Sequence, residues 1–288
     1  MPSSFSDETQ LSNIERERRR YRRRQTQGSV LVSLASTLVF AGLVALVLSR
    51  SPGWERVRQT FFSSHYFGLS FLPVLRGIAN NVKILAFATV GVAILGTLIA
   101  AIRTTRSAVL FPLRALAAVY TDFMRGVPIM VLLFIVGFGV PGLGLTKGRI
   151  SEILLGTIVI TMAYSAYVAE VLRAGIQSVH PSQRAAARSL GLSYNQTLRL
   201  VILPQAIRRV IPPLMNDFVS MQKDVGLVSV LGVVDAVRAA QIETAHSFNF
   251  TSYVVAALLF VALSWPFIWL TDAYARRRRQ REESAGVV

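Results

Sequence analysis

Ionisable and amide side chains interrupt two hydrophobic stretches of this 288-residue sequence. The first stretch holds Asp122 and Arg125, which are three residues apart on a helix and therefore able to pair with each other. The second holds three polar groups at helical spacing, with two carboxylates beside that stripe: Asn216, Ser220, Lys223, Asp217 and Asp224. Ionisable groups in a membrane-length apolar run are costly and usually face a bundle interior or a water-filled path. The pattern indicates a route for a polar solute.

A purely structural role is the alternative for both groups. A salt bridge between Asp122 and Arg125 would fix the packing of helices without contacting any solute. The polar stripe would then serve interhelical hydrogen bonding. The sequence leaves both interpretations open.

Patterns for bond-breaking chemistry are missing from the sequence. No G-x-x-x-x-G-K-[ST] phosphate loop occurs, so the chain is not expected to hydrolyse ATP. The three histidines, His65, His180 and His246, are scattered and show no metal-ligand spacing, and there is no cysteine to form a thiolate site or a disulfide. We therefore predict neither an enzyme nor a metal site, and no cofactor held by this chain.

Composition points to a membrane protein. Hydrophobic residues make up 52% of the chain and the mean hydropathy is +0.49, which is too apolar for a typical soluble domain. The net charge of +16 would fit a nucleic-acid partner, but 12 of the 31 basic residues lie in two arginine clusters, 16–24 and 276–281, that flank hydrophobic runs. Such clusters set membrane topology and contact anionic lipid. We expect membrane lipid, and no nucleic acid, as a partner.

Six membrane spans are predicted, because about 20 apolar residues cross a bilayer. The hydrophobic runs that mark these spans are 28–48, 84–102, 116–140, 153–169, 207–232 and 250–270. The second span is expected to begin several residues before its run, and charged residues break the fifth. The first run is too long for a signal-peptide core and no small-residue cleavage site follows it, so it is expected to be retained as the first span. The predicted fold is an all-α membrane protein whose last five spans form the core.

The segments outside these spans follow from the same runs. The predicted order is a cytoplasmic arginine-rich tail, the first span, an external segment, the core, and a second cytoplasmic tail: 1–27, 28–48, 49–75, 76–272 and 273–288. With both termini in the cytoplasm, 21 basic residues lie inside and six outside, as the positive-inside rule requires. The external segment is rich in aromatic residues and is predicted to be an interfacial helix. Contact with a substrate-delivery protein is the alternative.

A polar segment at residues 170–209 separates two of the spans and has its own helix signals. Pro181 suits a first helical turn, and Gly191 can take the left-handed conformation that closes a helix. Ser193 and Gln196 have capping-box spacing for a second helix, which Pro204 is expected to end. The segment is predicted to be two short helices joined by a glycine turn, which is the shape of a docking element.

This segment resembles the EAA loop of ABC importer permeases. The similarity lies in three alanines, a glycine after three intervening residues, and the sequence VILP after nine more, at residues 185–187, 191 and 201–204. The flanking sequences AYSAYVAEVLRAGIQSV and LPQAIRRVIPPLMNDFVS, with AVYTDFMRGVPIMVLLF upstream and KDVGLVSVLGV downstream, resemble the polar amino acid uptake subfamily. The resemblance covers about residues 75–271 and leaves the N-terminal part uncovered.

The resemblance implies a permease subunit of a type I ABC importer in a prokaryotic cytoplasmic membrane. In that family the loop is a coupling helix that sits in a groove of a separate ATPase subunit, and ATP and Mg²⁺ are held there. The implied docking residues are Arg184, Ala185, Ala186, Ala187, Arg188, Gly191, Leu203 and Pro204. The implied partners are an ATPase dimer, a second identical or related permease and an extracytoplasmic amino acid-binding protein.

This sequence departs from the family pattern at two places. Ala185 stands where the family motif has glutamate, so a charged contact with the ATPase is lost. Arg184 and Arg188 are candidates to replace it, or are simply basic residues retained on the cytoplasmic side. Val225-Gly226 replaces a Thr-Ser pair of the family. A self-contained secondary transporter or channel is the alternative function, since buried charges and broken helices also occur there. A cytoplasmic docking loop favours the importer.

Overall fold

The computed structural model describes residues 13–105, 107–144 and 150–284, and every regular element in these ranges is helical. The chain divides into two structural units at Gln59 and Thr60. Arg106, Lys147 and Arg149, which enter the count of basic residues above, lie outside the described residues. The all-α fold class predicted from the sequence is confirmed.

The first unit contains helix α1, Asn13–Arg50, followed by most of the short helix α2, Trp54–Phe61. Within α1, Ser29–Arg50 is long and apolar enough to cross a membrane, close to the predicted span at 28–48. In α2 an ion pair joins Arg58 to Glu55 at 3.0 Å.

The second unit begins with α3, Ser64–Thr104, a helix of 41 residues. At 1.5 Å per residue it is about 60 Å long, twice the roughly 30 Å hydrocarbon thickness of a bilayer. Its N-terminal turns therefore extend beyond the predicted span at 84–102. They include residues 64–75, which the sequence assigned to a separate external segment.

The third predicted span is bent rather than straight. Helix α4, Phe111–Gly126, meets α5, Ile129–Phe134, at an angle of 105°. The break lies at Val127, which is extended (φ −95°, ψ 130°) because the ring of Pro128 disfavours helical backbone in the preceding residue. A π-helical turn, Ile135–Gly139, and a short helix α6, Val140–Gly142, complete this span.

Helix α7, Glu152–Gln177, packs along α3 and forms the centre of the second unit with it. It contains the predicted fourth span and continues for eight residues into the segment predicted to be a polar loop. Fully buried side chains from several helices fill this core, including Ile84, Leu133, Val159, Ile160, Val225 and Val228.

The fifth predicted span is broken, as expected. Helix α10, Leu203–Asp224, passes into a 3₁₀ turn, Val225–Leu231. Gly232, at φ +94°, follows this turn, and the chain bends by 50° before α11, Ala236–Ser247. Helix α12, Thr251–Ser284, contains the sixth span. Four helices of the described residues could each cross a membrane alone, and the two bent pairs raise the total to six, the predicted number.

Buried hydrogen bonds fix the turn before α11 against α3. Asn81 Nδ2 donates to Asp235 Oδ2 at 2.9 Å, and Asn81 Oδ1 accepts from the backbone N–H of Ala236 at 3.1 Å. Gly77, one turn earlier, allows this approach, because a Cβ there would lie 2.5 Å from the Asp235 carbonyl. The bend in the fifth span is thus held by polar contacts that leave few groups unsatisfied.

Candidate functional site: the polar loop and the cavity at Asp217

The first loop helix, α8, spans Pro181–Ser189 and begins as the sequence predicted. Pro181 occupies its first turn, where an N–H has no helical partner anyway. His180 caps the helix by accepting the backbone N–H of Ser182 on Nδ1 at 3.2 Å. This cap is stable only while Nδ1 carries no proton, because a protonated ring nitrogen cannot accept a hydrogen bond.

The turn after α8 is a complete Schellman motif closed by Gly191 at φ +80°. The N–H of Leu192 bonds to the carbonyl of Ala187 at 3.2 Å, and that of Gly191 bonds to Arg188 at 2.9 Å. Ser193 and Gln196 then form a capping box, with side chain to backbone distances of 3.3 and 2.8 Å. Local sequence signals thus determine this part of the loop, as predicted.

The prediction that Pro204 ends the second loop helix is wrong. Helix α9, Tyr194–Gln196, continues through a π-helical stretch, Thr197–Ile202, directly into α10. Proline tends to kink or end an α-helix because its ring collides with the carbonyl four residues earlier. The wider π-helical turn displaces that carbonyl, so the chain remains helical through Pro204.

The inner face of α8 packs on its own chain. Ala187 is only 4% exposed, and beneath the loop lies a small apolar cluster formed by Val179, Ile202 and Ala206. Arg184 is half-buried and donates to the carbonyl of Ile176 at 2.7 Å. Arg209 donates to the carbonyl of Ser178. Two arginines thus attach the loop to the end of α7.

The outer face of the loop is open. Of the residues that resemblance implicates in docking, Ala185, Ala186, Arg188, Gly191 and Pro204 are exposed and Leu203 is half-buried. Sequence reasoning missed two large apolar side chains beside them, Leu190 at 82% and Leu200 at 66% exposure. They add apolar area that a partner bound to this face would remove from water. In the sequence, the signal for this exposure was that both leucines lie in a polar segment, close to Arg188 and Arg199.

Asp217, on α10, lines a cavity of about 220 Å³ between α3, α7 and α10. Its walls are mostly apolar, and Thr89, Thr97 and Tyr164 supply the other polar groups. The Oδ2 atom of Asp217 is buried and has no hydrogen-bond partner among the described residues. A buried carboxylate oxygen without a partner costs free energy unless something that donates hydrogen bonds occupies the cavity.

Asp224 lies two turns from Asp217 on the same side of α10. Its Oδ2 accepts the hydroxyl of Tyr164 at 2.7 Å, so this carboxylate already has a protein partner. Sequence reasoning assigned no role to Tyr164, or to Gln222, which is 1% exposed and accepts a hydrogen bond from the hydroxyl of Ser264. A single glutamine or tyrosine in an apolar run is too weak a signal to identify such contacts.

The stripe of Asn216, Ser220 and Lys223 occupies a different face of α10 from Asp217. Asn216 and Lys223 are exposed and Ser220 is half-buried. Lys223 lines another cavity, of about 470 Å³, with Ser264 and Asp272 of α12. The structure therefore separates the predicted path residues into two groups instead of placing them around one cavity.

Asp122 and Arg125 do not form the expected ion pair. Both are exposed on α4, and among the described residues neither has an oppositely charged group within 4 Å. The guanidinium of Arg125 instead lies over the ring of Tyr167, 6.0 Å from its centroid. A cation over an aromatic ring gains electrostatic energy, and this contact orients Arg125 toward α7.

An ion-pair network that sequence reasoning missed joins α3 to α7. Glu170 accepts from Arg103 at 2.8 Å and from Nε of Arg173 at 3.0 Å. The two helices meet here next to the polar loop. Because Arg103 and Glu170 are 67 residues apart, nothing in the local sequence pairs them.

The fold and site define a class of protein: a multi-spanning helical membrane protein with a partly exposed polar loop. In a cavity between its spans lies a carboxylate oxygen that has no hydrogen-bond partner among the described residues. The family model for the inner membrane component of binding-protein-dependent transport systems matches residues 93–280. The chain belongs to this family. It is thus a transport component and not an enzyme.

Individual relatives agree with this assignment. A probable glutamine ABC transporter permease protein, GlnM of Bacillus subtilis (strain 168), is 35% identical over 68% of this chain and 89% of its own length. The probable amino-acid ABC transporter permease protein YckA of the same organism is 37% identical over 73% of this chain and 89% of its own length. A solved structure described as an amino acid ABC transporter with histidines matches 71% of this chain and 94% of its own, at 32% identity and a TM-score of 0.65.

Proposed function

We propose that this chain is the permease subunit of an ATP-driven importer and forms the path of a polar amino acid across the cytoplasmic membrane. Relatives named as amino-acid and glutamine permeases support this solute class. The observation that carries the proposal is the Oδ2 atom of Asp217, which has no partner among the described residues and lies in a cavity lined by α3, α7 and α10.

Asp217 is proposed to bind the ammonium group of the solute. A buried carboxylate needs a cationic or hydrogen-bonding partner, and every amino acid carries an ammonium group at neutral pH. The mostly apolar walls of the cavity lower the local dielectric constant and would strengthen that contact. Asp122, Arg125, Asn216, Ser220, Lys223 and Asp224 are proposed to line the path on either side of the cavity.

A separate ATPase subunit is proposed to dock on the outer face of the loop. The exposed face of Ala185 and Ala186 permits close backbone approach, and the apolar Leu190 and Leu200 supply area to bury. Arg188 is free to make a charged contact in place of the glutamate that Ala185 replaces. Arg184 and Ala187 face inward and are proposed to hold the shape of α8, as are Gly191, Leu203 and Pro204 in the adjoining turns.

Two permease subunits, identical or related, are proposed to assemble with two ATPase subunits and one extracytoplasmic binding protein. The ATPase holds ATP and Mg²⁺, and this chain holds no cofactor. A transport-active particle with one permease and one ATPase, resolved by mass measurement of the purified complex, would contradict this assembly.

Both termini are proposed to lie in the cytoplasm. The chain has no cysteine, so single cysteines at Ser12 and Ala285, both outside the described residues, are the only labelling sites. An impermeant thiol reagent applied to intact cells is expected to leave both unlabelled until the cells are opened. Labelling from outside at either position would overturn the orientation and, with it, the cytoplasmic position of the loop.

Uptake by the complex reconstituted in vesicles tests the function. With the binding protein outside and ATP inside, uptake of at least one radiolabelled polar amino acid from a panel is expected. It should need ATP and the ATPase subunit. Uptake that is driven by an ion gradient without the ATPase would instead identify a self-contained transporter.

A further inference from the structure

A third cavity, of about 560 Å³, lies beside the polar loop and is lined by four arginines. Arg103 and Arg114 come from the end of α3 and the start of α4, and Arg184 and Arg188 come from α8. No aspartate or glutamate lines this cavity. It is separate from the cavity at Asp217, whose walls hold no arginine.

Among the residues that the structure describes, three of these four charges have no carboxylate partner. Arg103 is paired with Glu170, whereas Arg114 donates only to the carbonyl of Thr105, at 2.8 Å. Arg184 donates to the carbonyl of Ile176, and its Nε atom is buried without a partner among the described residues. Arg188 has no partner within the part of the chain that the structure describes. A buried, unsatisfied guanidinium nitrogen is costly, so an anion that accepts from it would stabilise the site.

The opposite walls of the cavity are apolar. They are formed by the last turns of α3 and α7, at Ala100, Ala101, Leu172 and Ile176, which belong to membrane-spanning helices. Nearby, Val109 and Phe111 are 87% and 61% exposed at the start of α4. Basic residues next to exposed aromatic and aliphatic side chains at the end of a span are typical of the headgroup level of a membrane.

We propose that this cavity binds the phosphate headgroup of an anionic membrane lipid, with the upper acyl carbons against α3 and α7. The arginine side supplies charge-assisted hydrogen bonds to the phosphate, and Arg184 Nε gains its missing acceptor. A soluble phosphate would satisfy the arginines but would leave the apolar wall unused. The lipid would lie between α8 and the spans. This inference extends the proposed function but does not depend on the identity of the solute.

Native mass spectrometry of the full-length chain in mild detergent tests the proposal, with dioctanoyl phosphatidylglycerol as the probe and dioctanoyl phosphatidylcholine as the neutral comparison. We expect saturable binding of one phosphatidylglycerol per chain, at least about fivefold tighter than phosphatidylcholine. Arg114→Gln is expected to weaken it by roughly fivefold, the effect of one basic residue at a lipid surface. Arg199→Gln is the matched control, since it removes the same charge from an exposed loop position outside the cavity.

Ala101→Trp provides a second, charge-neutral test. Residue 101 is exposed to the cavity, so the larger side chain fills the space without removing an arginine. Ala101→Trp is expected to prevent saturable binding of the lipid. Circular dichroism checks that Ala101→Trp and Arg114→Gln remain helical. Equal weakening by Arg114→Gln and Arg199→Gln, or unchanged binding in Ala101→Trp, would overturn the proposal. Displacement of the lipid by an equal concentration of inorganic phosphate would assign the arginines to a soluble anion instead.

Discussion

Asp217→Asn is expected to reduce amino acid uptake by roughly tenfold to a hundredfold, the largest effect of any single substitution in the cavity. Asparagine has nearly the same shape but no charge, so the ammonium group of the solute loses a charge-assisted hydrogen bond of about 1.5–3 kcal/mol. Uptake by the reconstituted complex measures the change. The ATPase activity without solute should stay within about twofold of that of the unmodified complex, because the loop is not altered.

Asp272→Asn is the matched control for this substitution. Asp272 is an exposed carboxylate on α12 that lines the other cavity, with Lys223. If both substitutions lower uptake equally, the effect is one of overall charge. If Asp217→Asn transports normally, its Oδ2 does not bind the solute and the proposed site is wrong.

Ala186→Trp is expected to separate ATP hydrolysis from transport. The side chain of Ala186 lies on the exposed face of α8, so the indole would stand between the helix and a closely apposed ATPase. Overpacking costs about 1–3 kcal/mol, which weakens association by roughly five- to 150-fold. Co-purification of the ATPase measures this loss. The amount of permease in the membrane should not change, because the side chain of residue 186 is exposed and outside the core.

Two further variants distinguish a loss of ATPase docking from other effects of the added side chain. Ala275→Trp places the same bulk on an exposed position of α12 and should leave ATPase association unaffected. Ala187→Trp should instead destabilise the loop itself, since Ala187 is buried. Normal ATPase binding by Ala186→Trp would show that α8 is an ordinary loop helix and remove the main support for docking there.

Gly191→Val acts on the same loop through the backbone. Valine at φ +80° is strained by about 1 kcal/mol or more, so the Schellman turn between the two loop helices opens. We expect normal insertion in the membrane together with weakened ATPase association.

Those parts of the fold that depend on local chemistry could be predicted from the sequence. Uncharged runs located the spans, and Pro181, Gly191 and the Ser193–Gln196 box placed the loop helices, because caps and turns are determined by a few adjacent residues. Pro128 itself was a local signal for the bend, but the continuous hydrophobic run at 116–140 led to the prediction of a single span. The prediction that Pro204 ends a helix was wrong, because a π-helical turn formed by the preceding residues removes the collision that normally ends a helix.

The site was less predictable because its contacts join distant parts of the chain. The polar residues of α10 were identified, but which of them line one cavity depends on how α3 and α7 pack beside it. Asp217 and Lys223 are six residues apart, about 240° around a helix, which is why they face different cavities. The expected pairing of Asp122 with Arg125 failed for a similar reason, because Tyr167 on another helix offers Arg125 a competing contact.

The uninterrupted helical run from α9 through α10 has a mechanical consequence. Leu203 beside the loop and Asp217 in the cavity lie about 21 Å apart along one helix, with Pro212 and Pro213 between them. A rotation of the loop about the helix axis turns the Asp217 carboxylate as well, less whatever part the π-helical stretch and the two prolines absorb. Linkage is reciprocal: whatever factor the ATPase imposes on the affinity for the solute, the solute imposes on the affinity for the ATPase.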